Sequence, residues 1–130
     1  MLFNTDAPSD IIARFKTNDN STYIQLVSAG SSWQIGATSD SLDWYNDNNS
    51  AVRMSLTETG NLGIGTTSPN ALLHLESASS PALQITDTTQ PTTLKLYAQD
   101  SNTHVANITA HDMVFDTNNT ERMRITSGGS

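Results

Sequence analysis

LDWYNDNNSAVRMSLTETG, residues 42–60, returns as HDMVFDTNNTERMRITSGG at residues 111–129. Arg53-Met54 falls on Arg122-Met123, Leu56 on Ile125, Thr57 on Thr126 and Gly60 on Gly129, each 69 residues on (122 − 53). A fainter echo runs upstream at 70 (94 − 24): Ala13 and Phe15 fall on Leu83 and Ile85, and Ile24 and Leu26 on Leu94 and Leu96. One deletion reconciles the two offsets. A repeat of this length predicts two copies of one folding unit in tandem. Duplicated modules extend a shape, which favours a structural or binding array over a single catalytic pocket.

The periodicity inside the repeat is that of strands. Ile24 and Leu26 alternate in TYIQLV, Trp33 and Ile35 in WQIG, Leu42 and Trp44 in LDWYN, and Val52, Met54 and Leu56 in VRMSL. ALQI at 82–85, TLKLY at 93–97, DMVFD at 112–116 and MRI at 123–125 do the same. Short period-two runs separated by Asn-, Asp-, Ser- and Thr-rich breaks predict an all-β chain of mainly antiparallel hairpins. One helix candidate stands apart: SPNALLHL at 68–75, with Ser68 as cap and Pro69 in the first helical position, at most two turns long. Between the halves lies GNLGIGTTSP, whose glycines suit close backbone approach or positive φ. The expected organisation is a first β-module over 1–60, a Gly-rich neck over 61–70 and a second β-module over 71–130. In the neck, Gly60, Leu62, Gly63, Ile64 and Gly65 are the residues expected to let chains converge on an axis, with Leu62 and Ile64 pointing inward.

Composition adds a constraint. Hydrophobic residues make up 35% of the 130 residues, and charged ones only 15% against about 25% in ordinary domains. A module of half this length rarely draws more than roughly 3–5 kcal/mol from one core. There is no cysteine, so disulfides supply nothing. His74, His104 and His111 have no paired ligand spacing. Association is the remaining remedy, and an obligate oligomer is expected. The net charge is −7 with six scattered basic residues, which argues against nucleic acid as a partner. No apolar run approaches the length of a membrane-spanning helix.

VRMSLTETGNLGIGTTSPNALLHLES, residues 52–77, and ERMRITSGG, residues 121–129, are similar to the repeat of bacteriophage tail fibres. In that repeat an RMxI-type strand runs into GNVGIGTTxPxxxLHV. WQIG at 33–36 belongs to the same pattern. Leu62 stands where Val is common, and Leu73 where Lys is common. The resemblance implies an elongated parallel homotrimer in the virion tail fibre, outside the host cell, joined to other fibre segments. The role it implies is that of a spacer or shaft supporting host attachment, with no reaction and no cofactor. The alternative is a module that binds host-surface glycan or another host receptor. A tailspike-like polysaccharide depolymerase is disfavoured, because no unrepeated carboxylate cluster is evident.

The candidate glycan contacts are Tyr45, Asp43 and Asp47, with Tyr45 on the strand face opposite Leu42 and Trp44. Trp33 and Trp44 share their face with Ile35 and Leu42 and are assigned to the core. The Asn-Asp clusters lack the calcium loop D-x-[DN]-x-[DN]-G with its distal Glu and are assigned to turns. His74, next to the neck, is the one residue that could place a metal on a trimer axis. Arg53 and Arg122 lie outward on apolar strands, each expected to pair with an acidic residue of its own or a neighbouring chain.

Overall fold

The computed structural model describes residues 19–129. Ala13 and Phe15, and the start of the expected first module, lie outside the described residues. The described chain is all-β, with eleven strands, one 3-10 turn at Asp47–Asn49 and no α-helix. It divides into two compact units between Glu76 and Ser77.

The first unit is one six-stranded sheet in which sequence neighbours are spatial neighbours. Its strands are β1 (Thr22–Ser28), β2 (Ser31–Ala37), β3 (Ser41–Asn46), β4 (Ala51–Thr57), β5 (Leu62–Ile64) and β6 (Leu73–Leu75). All pairs are antiparallel except β5 with β6. The second unit holds β7 (Ala82–Asp87), β8 (Thr92–Gln99) and β9 (Asn102–Asn107) in one antiparallel sheet. It also holds a separate hairpin of β10 (Met113–Thr117) and β11 (Thr120–Ile125).

The register gathers the alternate apolar residues of the first unit into rows that cross every strand. One row runs Ile24, Ile35, Trp44, Met54, Ile64 and Leu75, each opposite the next. The adjacent row runs Ala37, Leu42, Leu56, Leu62 and Leu73. In the second unit Leu83, Leu96 and Val105 form such a row, as do the pairs Met113–Ile125 and Phe115–Met123. A period of two puts all of each row on one face. Among the described residues no hydrophobic side chain is buried; Ile24 is 52% exposed, Leu26 58% and Leu73 51%. Within the single chain Trp33 and Trp44, assigned to the core, are not enclosed. Their face is the apolar one, but Trp33 is exposed and Trp44 half-buried.

The helix expected over 68–75 does not form. Leu62 N–H donates to Leu72 C=O and Glu76 N–H to Ile64 C=O, so residues 73–75 run as a parallel strand beside β5. Ladder bonds and the seats of Leu73 and Leu75 in the apolar rows outweigh two turns of helix propensity. Parallel pairs ordinarily need a crossover of a dozen or more residues. Here residues 65–72 suffice because strands of three residues require a return of only about 10 Å. The segment expected to be neck and start of the second module is therefore hydrogen-bonded into the first unit.

The repeated sequences form matching hairpins with different loops. Four residues, Asp47–Ser50, join β3 to β4, whereas Asn118–Asn119 alone join β10 to β11. Both asparagines have positive φ, 51° and 54°, the conformation of a two-residue type I′ turn. The pairs Leu42–Leu56 and Met113–Ile125 then correspond, as do Trp44–Met54 and Phe115–Met123. Asp43 thus matches Val114 in structure, not Asp112 as the uniform offset of 69 (112 − 43) implies. Each hairpin also carries a bulge. Between the pairs Trp44–Met54 and Tyr45–Val52 the extra residue is Arg53, and between Phe115–Met123 and Asp116–Glu121 it is Arg122. A bulge re-aims the side chain it carries, which gives the repeated arginines a common structural place.

Candidate functional site

The opposite face of the six-stranded sheet is polar. Its central row runs Tyr23, Gly36, Asp43, Ser55, Gly63 and His74. Among the described residues, those this unit buries lie here: Gly36, Asp43, Ser55 and Gly63. Two features cover them. A Cβ on Gly36 would stand 2.5 Å from Tyr23 Cδ1 and 2.1 Å from Thr22 O, so the Tyr23 ring lies in the space that glycine leaves. At the other end a Cβ on Gly63 would stand 2.3 Å from Thr66 O, because the loop after β5 folds onto this face. Between them Asp43 is 5% exposed, and its Oδ1 accepts from Ser41 Oγ at 2.8 Å and Ser55 Oγ at 2.6 Å. A buried carboxylate needs such donors.

The adjacent row carries Gln25, Gln34 and Tyr45. Tyr23, Gln34, Tyr45 and Asp47 line a shallow groove of about 340 Å³. Asp47 is held by the turn after β3. Its Oδ2 accepts from Gln25 Nε2 at 3.0 Å and from Ser32 Oγ at 3.1 Å. Asn48 clamps the same turn to the β1–β2 hairpin, accepting from Ser32 N–H at 2.7 Å and donating to Gly30 C=O at 2.9 Å. The Tyr23 hydroxyl has its pKa raised, first by burial and then by the nearby Asp43 carboxylate and Tyr45. It stays a neutral donor and acceptor.

Of the three residues expected to contact glycan, the structure brings Tyr45 and Asp47 together and withdraws Asp43 into the hydrogen-bonded interior of the face. Tyr23 and Gln34 complete the groove. Alternation in TYIQLV and WQIG places both opposite the apolar residues, but only the strand register brings them beside Tyr45.

The neck glycines have reasons inside the chain. Gly60 has φ of 86° and closes the β4–β5 turn, its N–H donating to Thr57 C=O at 2.9 Å. Gly63 makes room for Thr66. Gly65 has φ of 81°, and a Cβ on it would stand 2.1 Å from Glu76 O. Each of these glycines thus has a role within its own chain. Leu62 and Ile64 do lie on the open apolar face.

His74 Nδ1 is buried without a hydrogen-bond partner, and Nε2 lies 4.0 Å from Glu76 Oε2. Among the described residues no three His, Cys, Asp or Glu side chains gather as a metal would require.

The second unit places its charges differently from expectation. Arg124 Nη1 reaches Asp112 Oδ2 at 2.6 Å, and Arg124 also binds Glu121 through Nε at 2.9 Å. Asp112 Oδ1 accepts from Ser127 N–H at 2.9 Å. Hydrogen bonds from Arg124 hold both carboxyls below their ordinary range. Within the chain Arg122 donates from Nε to Thr117 Oγ1 at 2.8 Å, and among the described residues neither Arg122 nor Arg53 makes an ion pair. On the polar face of β8 and β9, Tyr97 and His104 stack at 4.4 Å, with Lys95 Nζ 4.7 Å from the Tyr97 ring centre.

No protein-family model matches this chain, and no curated protein sequence matches it.

Proposed function

We propose that this chain is a structural segment of a phage tail fibre: a spacer in an elongated, parallel homotrimer on the virion, carrying no reaction of its own. The observation that carries the reading is the pair of open apolar faces. Rows of Leu, Ile, Met and Trp cross the sheet, and none of the described hydrophobic side chains is buried. Burying one such side chain stabilises by roughly 1.5–3 kcal/mol, so several per chain left in water is a state that association relieves. Three like copies can turn these faces inward together. The threefold count comes from the likeness of VRMSLTETGNLGIGTTSP to fibre repeats. The matched bulged hairpins at Arg53 and Arg122 support a tandem build.

Sedimentation equilibrium tests the proposal. The expected mass is three times the 14.0 kDa chain. A monodisperse, folded monomer overturns it.

A further inference from the structure

We infer that the outer edge of β11 is a docking edge for an extended strand donated by another polypeptide. The strand it fits has the pattern apolar–Gly–apolar, followed by a glycine at positive φ. The site lies in the second unit alone, so it stands apart from the association proposed above.

The first unit supplies the template. There β5 covers the outer edge of β4, with Leu62 opposite Leu56, Gly63 opposite Ser55 and Ile64 opposite Met54. Thr57 N–H donates to Asn61 C=O and Gly65 N–H to Arg53 C=O, each at 3.0 Å. β11 copies β4 in the features that seat this strand. Arg122 is the extra residue of its bulge, as Arg53 is in β4, and Met123 and Ile125 take the places of Met54 and Leu56. The reversal that leads out of β4 is present after β11 as well. Gly60 N–H donates to Thr57 C=O and Gly129 N–H to Thr126 C=O, both at 2.9 Å, with φ of 86° and 89°. A strand laid on β11 continues the line that this turn begins. Among the described residues, however, β10 is the one sheet neighbour of β11. All six residues of β11 are exposed, and Met123 is 51% exposed where Met54 is half-buried. An uncovered edge of this kind offers its backbone N–H and C=O groups to a strand from another chain.

The register fixes what the donated strand carries. Apolar side chains facing Ile125 and Met123 extend the pairs Met113–Ile125 and Phe115–Met123 by one strand. The position between them faces Arg124, which stands where the first unit has Ser55. Arg124 is already fixed by Asp112 and Glu121, so glycine leaves it room and an acid would meet two carboxylates. The next residue takes the part of Gly65, whose φ is 81°, and brings its N–H to Arg122 C=O. The competing occupant is β11 of a second copy. Antiparallel self-pairing centred on Met123 or on Arg124 sets arginine opposite arginine, and like charges directly opposite destabilise.

A fluorescent peptide with the sequence of residues 60–77, titrated into the full chain by anisotropy, tests the assignment. Hydrogen exchange read by mass spectrometry locates the contact. Saturable binding is expected, with slower exchange over residues 121–126. The peptide carrying Gly63→Val should bind about tenfold more weakly, because its side chain crowds Arg124. Thr57 N–H points to β5, alternation gives Ser55 N–H the same direction, and Arg124 matches Ser55. Arg124→Pro removes that amide and should weaken binding by a similar factor, whereas Arg124→Gln keeps it and should stay within about twofold of the parent. If Arg124→Pro does not fold, the two peptides carry the comparison. Absence of saturable binding, equal binding of both peptides, protection gathered at β4 instead of β11, or a β11 already protected without peptide overturns the inference.

Discussion

Leu56→Ala separates a chain whose apolar face meets water from one whose face is covered. Leu56 sits in mid-row between Leu42 and Leu62 and is 39% exposed in the isolated chain. Removing its three outer carbons forfeits about 2.4 kcal/mol at roughly 0.8 kcal/mol per buried CH₂ if the side chain is wholly covered. A closed cavity left behind raises the total into the range of about 2–5 kcal/mol. With the face open to water no cavity remains, and with over a third of the residue already hydrated the loss falls to about 1.5 kcal/mol or less. Association adds a second signature, because the melting midpoint then rises with protein concentration. Chemical denaturation followed by circular dichroism, at protein concentrations spanning two decades, reads both quantities. The expected result is a loss above about 2 kcal/mol per chain with a concentration-dependent midpoint. A loss of about 1 kcal/mol at a midpoint independent of concentration refutes the inference that these faces are covered in the assembled protein.

Gly63→Val should displace the loop at Thr66, since its Cβ would stand 2.3 Å from a backbone oxygen. Hydrogen exchange should quicken in β5 and β6 first, and unchanged protection there would remove the reason given for that glycine. Arg124 links acid stability to the second unit. Asp112 and Glu121 have folded pKa values lowered by hydrogen bonds from Arg124. Their contribution is therefore present above the ordinary carboxylate range near pH 4 and is lost as pH falls through the lower folded values. Arg124→Gln should flatten the melting profile in that acid window, by little because the pair is exposed; a profile identical to the parent's refutes the linkage.

Much of the architecture is written locally. TYIQLV and WQIG alternate without interruption and become strands with the expected face, whereas the bulge at Arg53 breaks the alternation of VRMSL: Met54 and Leu56 share the apolar face, but Val52 pairs with Tyr45 on the polar one. The site was legible in part. Tyr45 and Asp47 announce themselves as an aromatic and an acid beside a turn. Tyr23 and Gln34 do not, because pairing, rather than spacing along the chain, puts them next to Tyr45. Arg53 and Arg122 draw attention by repeating, yet the ion pairs belong to Arg124, which stands where the first copy has Ser55. SPNALLHL carries helix-start signals, but a neighbouring strand claims its backbone groups.

The amino-acid order by itself determined that this chain is β-rich, hairpin-built, internally repeated and poor in apolar side chains, because alternation and turn chemistry act over a few residues. Tertiary structure alone decided that Asp43 is enclosed while Leu26 and Ile24 are not, that the two hairpins match through loops of unequal length, and that Gly63 and Gly65 yield to carbonyls of their own chain. Those outcomes depend on which strands pair and in what register, and cross-strand contacts between residues distant in sequence leave no periodic trace in either segment.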